Sequence, residues 1–196
     1  MTMAAGILLA SLGQGTALAA QIDAITVTQR DDGFSIVFDA VVDAPARQVY
    51  AVLSDYARLG KLNPVITAVS VESAPAGRGE RVRSVIKSCV WFFCRQIVQV
   101  EDVVEPDADT IVAQIVPGAG DFASGSCFWR VSGEGLRTRL HYEAVRVSAF
   151  WIPPLIGPWA IRRTVREQFE SSIAALERIA SQSPRTGDRE IERAGG

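Results

Sequence analysis

The chain has 196 residues, 48% of them apolar and 21% charged, which suits one ordinary globular domain with terminal extras. Its 22 acidic and 20 basic side chains are interspersed and sum to −2, which argues against the basic face of a nucleic-acid binder. A single histidine and the lack of HExxH, P-loop and GxGxxG motifs leave the common motif enzymes without support, and no cofactor is expected.

The first twenty residues, MTMAAGILLASLGQGTALAA, join a short apolar run to small residues ending Ala17-Leu18-Ala19. That is the pattern of a signal peptide cleaved near Ala19 or Ala20, although no basic residue precedes the apolar run. Gln14, the glycines and the shortness of the run argue against a membrane anchor. The expectation is an exported protein, periplasmic or secreted, with its domain over residues 21–180. The stretch from Ser181, SQSPRTGDREIERAGG, is polar and has no apolar periodicity, so it reads as a disordered tail.

Residues 25–29 and 34–42 predict a hairpin around Arg30-Asp31-Asp32-Gly33. In DAPARQVYAVLSDYARLGKLNP, Asp43 is placed to cap a helix and Pro45 suits its first turn. Val49, Val52, Leu53 and Tyr56 recur there at helical spacing, and Gly60 and Pro64 end the helical region. Six strands follow without a helix: 66–73, 80–89, 94–105, 110–116, 126–132 and 138–148. The breaks between them, APAGRG, VWFF, PDAD, PGAGDFASG and GEGLR, are mostly turn chemistry. A last helix is predicted over 161–180, with Ile161, Val165, Phe169, Ile173, Leu176 and Ala180 in one apolar stripe.

A long antiparallel sheet must bury one face, and the last helix is the one large partner available. The predicted class is therefore α+β, a curved antiparallel sheet wrapped around a long C-terminal helix. At this point DAPARQVYAVLSDYARLGKLNPVI, GDFASGSCFWRV and RTRLHYEAV, together with the closing helix, resemble the START-like (SRPBCC) helix-grip superfamily. The resemblance runs from Phe34 to Ala180 and is nearest to the polyketide-cyclase/coenzyme-Q-binding group. It implies a cavity between sheet and helix that takes a hydrophobic small molecule such as a lipid or quinone. Members of the superfamily include carriers, cyclases and hydrolases.

Successive turns of a meander alternate between the two ends of the sheet. APAGRG, PDAD and GEGLR fall at one end; VWFF, PGAGDFASG and the link AFWIPPLIGPW fall at the other. The second end should carry an apolar rim at the cavity mouth, where Trp91, Phe92, Phe93, Ile152 and Leu155 are candidates for membrane docking. Cys89 and Cys94 flank VWFF as a four-residue loop, at a spacing and in a compartment that suit a disulfide. The alternative is a reduced pair in a turn folded back on its neighbours. A zinc site drawing in Cys127 and His141 lacks a CxxC pair, and no metal is expected.

Strand alternation puts Trp129, Leu140 and Tyr142 on the interior face, with Val82 and Ile86 beside them, and turns His141 outward. With Phe122, Trp151, Ile156 and Trp159 from the loop end, these are the candidate ligand-binding residues. Tyr142 offers a hydroxyl to orient a polar head group. Asp121, Arg130 and Tyr142 are the polar candidates for an enzyme, yet nothing places a nucleophile, base and oxyanion donor together. Asp121 equally suits a turn, and Arg130 a cross-strand pair with Glu143. The sequence therefore reads as a binding or transfer module for a hydrophobic small molecule with peripheral membrane contact. A cyclase- or hydrolase-type enzyme in the same cavity is the alternative, and a protein contact through the edge at 66–73 or the apolar rim is the third.

Overall fold

Alternating burial runs through the strands of a computed structural model that describes residues 21–30, 33–75, 77, 79–90, 93–150 and 158–182. Two strands, β1 (Gln21–Arg30) and β2 (Gly33–Val42), precede α1 (Ala46–Leu53), a 3-10 turn (Tyr56–Arg58) and α2 (Leu59–Leu62). Six further strands follow: β3 (Ile66–Ser73), β4 (Glu80–Val90), β5 (Phe93–Asp107), β6 (Thr110–Ile115), β7 (Phe122–Glu134) and β8 (Arg137–Ser148). The helix α3 (Pro158–Gln182) closes the order. All eight strands form one antiparallel sheet in the order β1-β2-β8-β7-β6-β5-β4-β3, so β1 and β3 are its edges.

The inner face of this curved sheet is set by the period-2 pattern. In β2, Ile36, Phe38, Ala40 and Val42 are buried, while Val37 and Asp39 face outward and are more exposed. In β8 the buried set is Thr138, Leu140, Tyr142, Ala144 and Arg146. Against this face lies the apolar stripe of α3, with Ile173, Leu176 and Ala180 buried and Val165 and Phe169 partly so. At about 1.5 Å per residue the helix is roughly 37 Å long, enough to run the length of the strands. Its backbone lies nearest β1, β2, α1 and α2 and also meets β4, while the Phe169 ring reaches to Tyr142 of β8 at 5.2 Å between centroids.

One end of the interior is closed by the helical region that crosses between the two sheet edges. Val49 and Leu53 of α1, Tyr56 and Leu62 join the core. Tyr50 and Tyr56 both donate to Glu105 of β5, at 2.8 and 2.7 Å, and tie this region to the sheet. Burial first, and the Glu105 carboxylate second, raise both phenols above the ordinary range. At the same end Thr138 donates to the Ala44 carbonyl at 2.6 Å, and the Asp43 backbone N–H donates to Glu177 of α3 at 2.8 Å.

Several local expectations are corrected. Pro45, not Asp43, is the N-cap of α1, and its carbonyl accepts from Gln48 and Val49 without a side-chain cap. The helical region from 46 breaks into three short pieces, with Asp55 in a non-helical conformation between the first two. Strands β4 and β5 run on through Val90 and Phe93, which pair, so these two residues belong to the ladder and not to the expected four-residue loop VWFF. Strand β7 starts at Phe122, four residues earlier than predicted, with a register shift between Phe122 and Ser124. Helix α3 begins three residues before 161 and runs through Ser181 and Gln182, which the sequence assigns to a disordered tail. Residues 1–20 and 183–196, which hold the predicted signal and the rest of that tail, lie outside the described residues. Among the described residues, no helix is long and apolar enough to cross a membrane.

Candidate functional site

Following the inner face of β8 toward the loop end brings in a residue that the sequence reading did not single out. Arg146 lies two alternations beyond Tyr142 and is 6% exposed, the one buried charged residue among those described. Its Nη2 donates to Glu101 Oε1 of β5 at 2.6 Å. Its Nη1 donates to the Ser126 carbonyl at 2.6 Å and the Val145 carbonyl at 3.0 Å. The other Glu101 oxygen accepts from Gln99 at 2.7 Å. Only 7% of the Arg146 side chain and 12% of that of Glu101 are exposed, so this is an interior ion pair with both carboxylate oxygens occupied. Burial alone lowers the affinity of Arg146 for its proton, but the Glu101 carboxylate more than offsets this and the guanidinium stays charged.

The strand opposite makes room for it. Gly125 of β7 pairs with Arg146, and its φ is +155°. A Cβ there would run into the Val145 carbonyl oxygen and come within 3.2 Å of Arg146 Cδ. Glycine is therefore needed for the arginine stem to cross β7 toward β5.

Around the pair the inner face is neutral. Val82, Ser84 and Ile86 of β4 pair with Glu101, Gln99 and Ile97 of β5 in turn. Val82 is 4% exposed and Ser84 5% exposed, while Ile86 is half-buried. Cys127 is buried, and burial first, then the Glu101 charge, push its thiol up to about 11, so it stays protonated at neutral pH. Burial likewise raises the Tyr142 phenol. Deeper in, Trp129, Tyr142, Phe38 and Phe169 form an aromatic cluster, with Trp129 at 4.4 Å from Tyr142 and 5.6 Å from Phe38. Trp129 keeps partial exposure, while Leu140 has none.

The remaining candidates are spread out. Phe122 is 6% exposed and packs beside Phe150 at the loop end, and the Arg95 guanidinium stands 4.3 Å from the Phe150 ring centroid. Trp159 is 58% exposed at the start of α3, so it belongs to the surface and not to the expected interior lining. Trp91, Phe92, Trp151, Ile152, Leu155 and Ile156 lie outside the described residues, and Phe93 is described only as the first position of β5. The Cys89–Cys94 disulfide is present across directly paired positions.

Two of the polar candidates for catalysis serve elsewhere. Asp121 accepts from the Val98 N–H at 2.7 Å and Arg95 at 3.2 Å, pinning the link before β7 to β5. Arg130 pairs with Asp109 at 3.5 Å, not with Glu143. Glu143 instead meets His141 at 2.9 Å, and Asp39 meets the other imidazole nitrogen at 2.8 Å, on the outer face. Cys127 faces inward and Cys89 and Cys94 are bonded to each other, so the four ligands weighed for zinc are not together. The division of turns also needs amendment. The Gly33–Val147 pairing puts the Arg30–Gly33 end of β1 and β2 at the same end of the sheet as the Val90–Phe93 pair.

A family model described as polyketide cyclase / dehydrase and lipid transport matches residues 33–181. The chain belongs to this family. Among solved structures, a START superfamily protein from Mycobacterium smegmatis aligns with a TM-score of 0.59 at 20% identity, covering 76% of this chain and 97% of that one. The Zhui aromatase/cyclase from Streptomyces sp. R1128 aligns at 0.57 and 19% identity, covering 83% of this chain and 98% of that one. A protein from Thermus thermophilus aligns at 0.57 and 22% identity, covering 76% and 99%. These likenesses establish the START-like helix-grip fold anticipated from the sequence. A search among curated proteins finds no match to the sequence. The polyketide cyclase and lipid transport family thus places the chain among proteins described by chemistry or carriage of hydrophobic small molecules.

Proposed function

We propose that the protein is an exported carrier that holds a hydrophobic small molecule between the inner face of the sheet and α3, and exchanges it with a membrane at the loop end. The observation that carries this reading is the Arg146–Glu101 pair. Its neighbours on the inner face, Val82, Ser84, Gln99 and Cys127, bring no net charge, and it is displaced from the closed helical end toward the loop end. A pair at that depth fixes the orientation of a ligand's polar end, while Val82, Ile86, Trp129 and Tyr142 offer apolar contact. Docking is supported by Trp159, exposed at the head of α3 beside the exposed Arg162, Arg163 and Arg166. An aromatic side chain next to basic ones suits an anionic membrane interface. The apolar residues 151–156 lead directly into that segment.

A cyclase-type enzyme is the second reading, favoured by the convergence of Tyr142, Cys127, Glu101 and Arg146. Against it, burial holds the Cys127 thiol protonated, so it is not poised as a nucleophile. Native mass spectrometry with solvent extraction of protein from its own host separates the readings. An apolar molecule that co-purifies unchanged, together with vesicle flotation lost in Trp91→Ser/Phe92→Ser, supports the carrier. Turnover of a supplied polyketide-like substrate, or a protein that neither retains a ligand nor binds vesicles, counts against it.

A further inference from the structure

The charge balance of the interior carries a statement about the ligand's polar end, one that rests on the reading of this interior as a ligand site. Arg146 is the one buried cation among the described residues, and Glu101 already neutralises it at 2.6 Å. Other polar groups of that face, Gln99, Ser84, Cys127 and Tyr142, bring no net charge: the first two do not titrate, and the thiol and phenol are held in their neutral forms by burial. A carboxylate or phosphate entering beside Arg146 would stand against the Glu101 carboxylate. An ammonium entering beside Glu101 would stand against the guanidinium. Either leaves an extra unpaired charge in a poorly solvated place, which is costly.

An alcohol, phenol or amide meets no such conflict. A guanidinium carries five N–H donors and a carboxylate about four lone-pair sites, so the pair retains hydrogen-bonding capacity of both kinds beyond its internal contacts. We infer that the Arg146–Glu101 pair selects hydrophobic molecules whose polar end is uncharged and both donates and accepts a hydrogen bond, and rejects fatty acids, phosphate-bearing lipids and alkylammonium ions.

The test is displacement of the neutral fluorescent probe N-phenyl-1-naphthylamine from the full chain by competitors built on a ten-carbon chain at pH 7.5. On the wild type, decanol and decanamide should displace the probe at concentrations about tenfold below those of 1-methoxydecane, which accepts but cannot donate to Glu101. Decanoate and decylammonium should be weaker still. Glu101→Gln removes the neutralising charge, so its preference should swing toward decanoate by about tenfold or more relative to decanol. Decanoate equal to or tighter than decanol on the wild type overturns the inference and leaves the ligand-binding reading standing. So does a neutral preference in which decanol and 1-methoxydecane are equal, which any apolar pocket would give. Failure of the probe and all competitors to bind removes the ligand-binding reading, and the inference with it. The wild-type comparison of decanol with 1-methoxydecane decides the matter even if Glu101→Gln does not fold.

Discussion

Replacing Arg146 by methionine separates the guanidinium's electrostatic role from its volume. The substitution keeps an unbranched apolar stem but leaves Glu101, whose side chain is 12% exposed, with Gln99 as its remaining described partner. The Ser126 carbonyl also loses the donor it has at 2.6 Å. Breaking a buried pair from one side costs about 3–5 kcal/mol, because an uncompensated charge remains. The second step is the double variant Arg146→Met/Glu101→Met, which removes both charges. Apolar replacement of a whole buried pair is neutral or stabilising by about 1–4 kcal/mol in comparable cases. The double variant should therefore return to within about 1 kcal/mol of wild type, or exceed it. Urea unfolding followed by tryptophan fluorescence at pH 7 reads both values. A single variant within about 0.5 kcal/mol of wild type means that water reaches the pair and solvates Glu101. A double variant as unstable as the single means that Arg146 stabilises by packing. Either result refutes the description of a buried pair retained for recognition and not for stability.

The Cys89–Cys94 disulfide closes a very short loop, so its reduction should lower stability by about 2 kcal/mol; Cys127 should resist alkylation until the protein unfolds, and rapid labelling of Cys127 in native protein would contradict its burial. Gly125→Ala should destabilise by about 1–3 kcal/mol, since its Cβ meets the Val145 carbonyl and Arg146 stem; an unchanged urea midpoint would show that β7 yields there at no cost. His141 is held above its ordinary pKa by Asp39 first and Glu143 second. That raised pKa means its stabilising contribution is complete below the unfolded-state value near 6.5 and is lost as pH rises through the folded value. His141→Asn should therefore cost up to about 1 kcal/mol at pH 5.5 and almost nothing at pH 9, and a larger loss at pH 9 would reverse the assigned sign.

Much of the fold is legible because local rules and global packing agree. The alternation of FSIVFDAVV and RTRLHYEAV and the stripe of α3 from Val165 to Ala180 bury, fully or in part, the residues that their periods select. Turn boundaries are less legible. The pairing of Val90 with Phe93 depends on how far a ladder extends past a disulfide, and both residues suit strand or loop. The pair central to the site was half legible. Carrying the β8 alternation from Tyr142 two further steps places Arg146 inside, although arginine on a strand reads first as a solvent-facing residue. Glu101 is harder to find, because its partner lies on a strand 45 residues away. Tertiary geometry also reassigns Asp121 and Arg130, whose nearest opposite charges come from neighbouring segments that sequence spacing does not identify.

The guanidinium of Arg146 can be observed directly, and its response to a ligand tests the central claim. In a nitrogen-15 correlation spectrum of the arginine side chains, Arg146 should give slowly exchanging signals, since it is the buried arginine among those described. They are assigned by their loss in Arg146→Met/Glu101→Met. Titration with decanol should move these signals saturably, with the affinity read by probe displacement, and leave the exposed Arg162 and Arg166 signals in place. Decanol that displaces the probe while shifting only surface arginines, or leaving Arg146 unmoved, would contradict a polar recognition point inside the sheet.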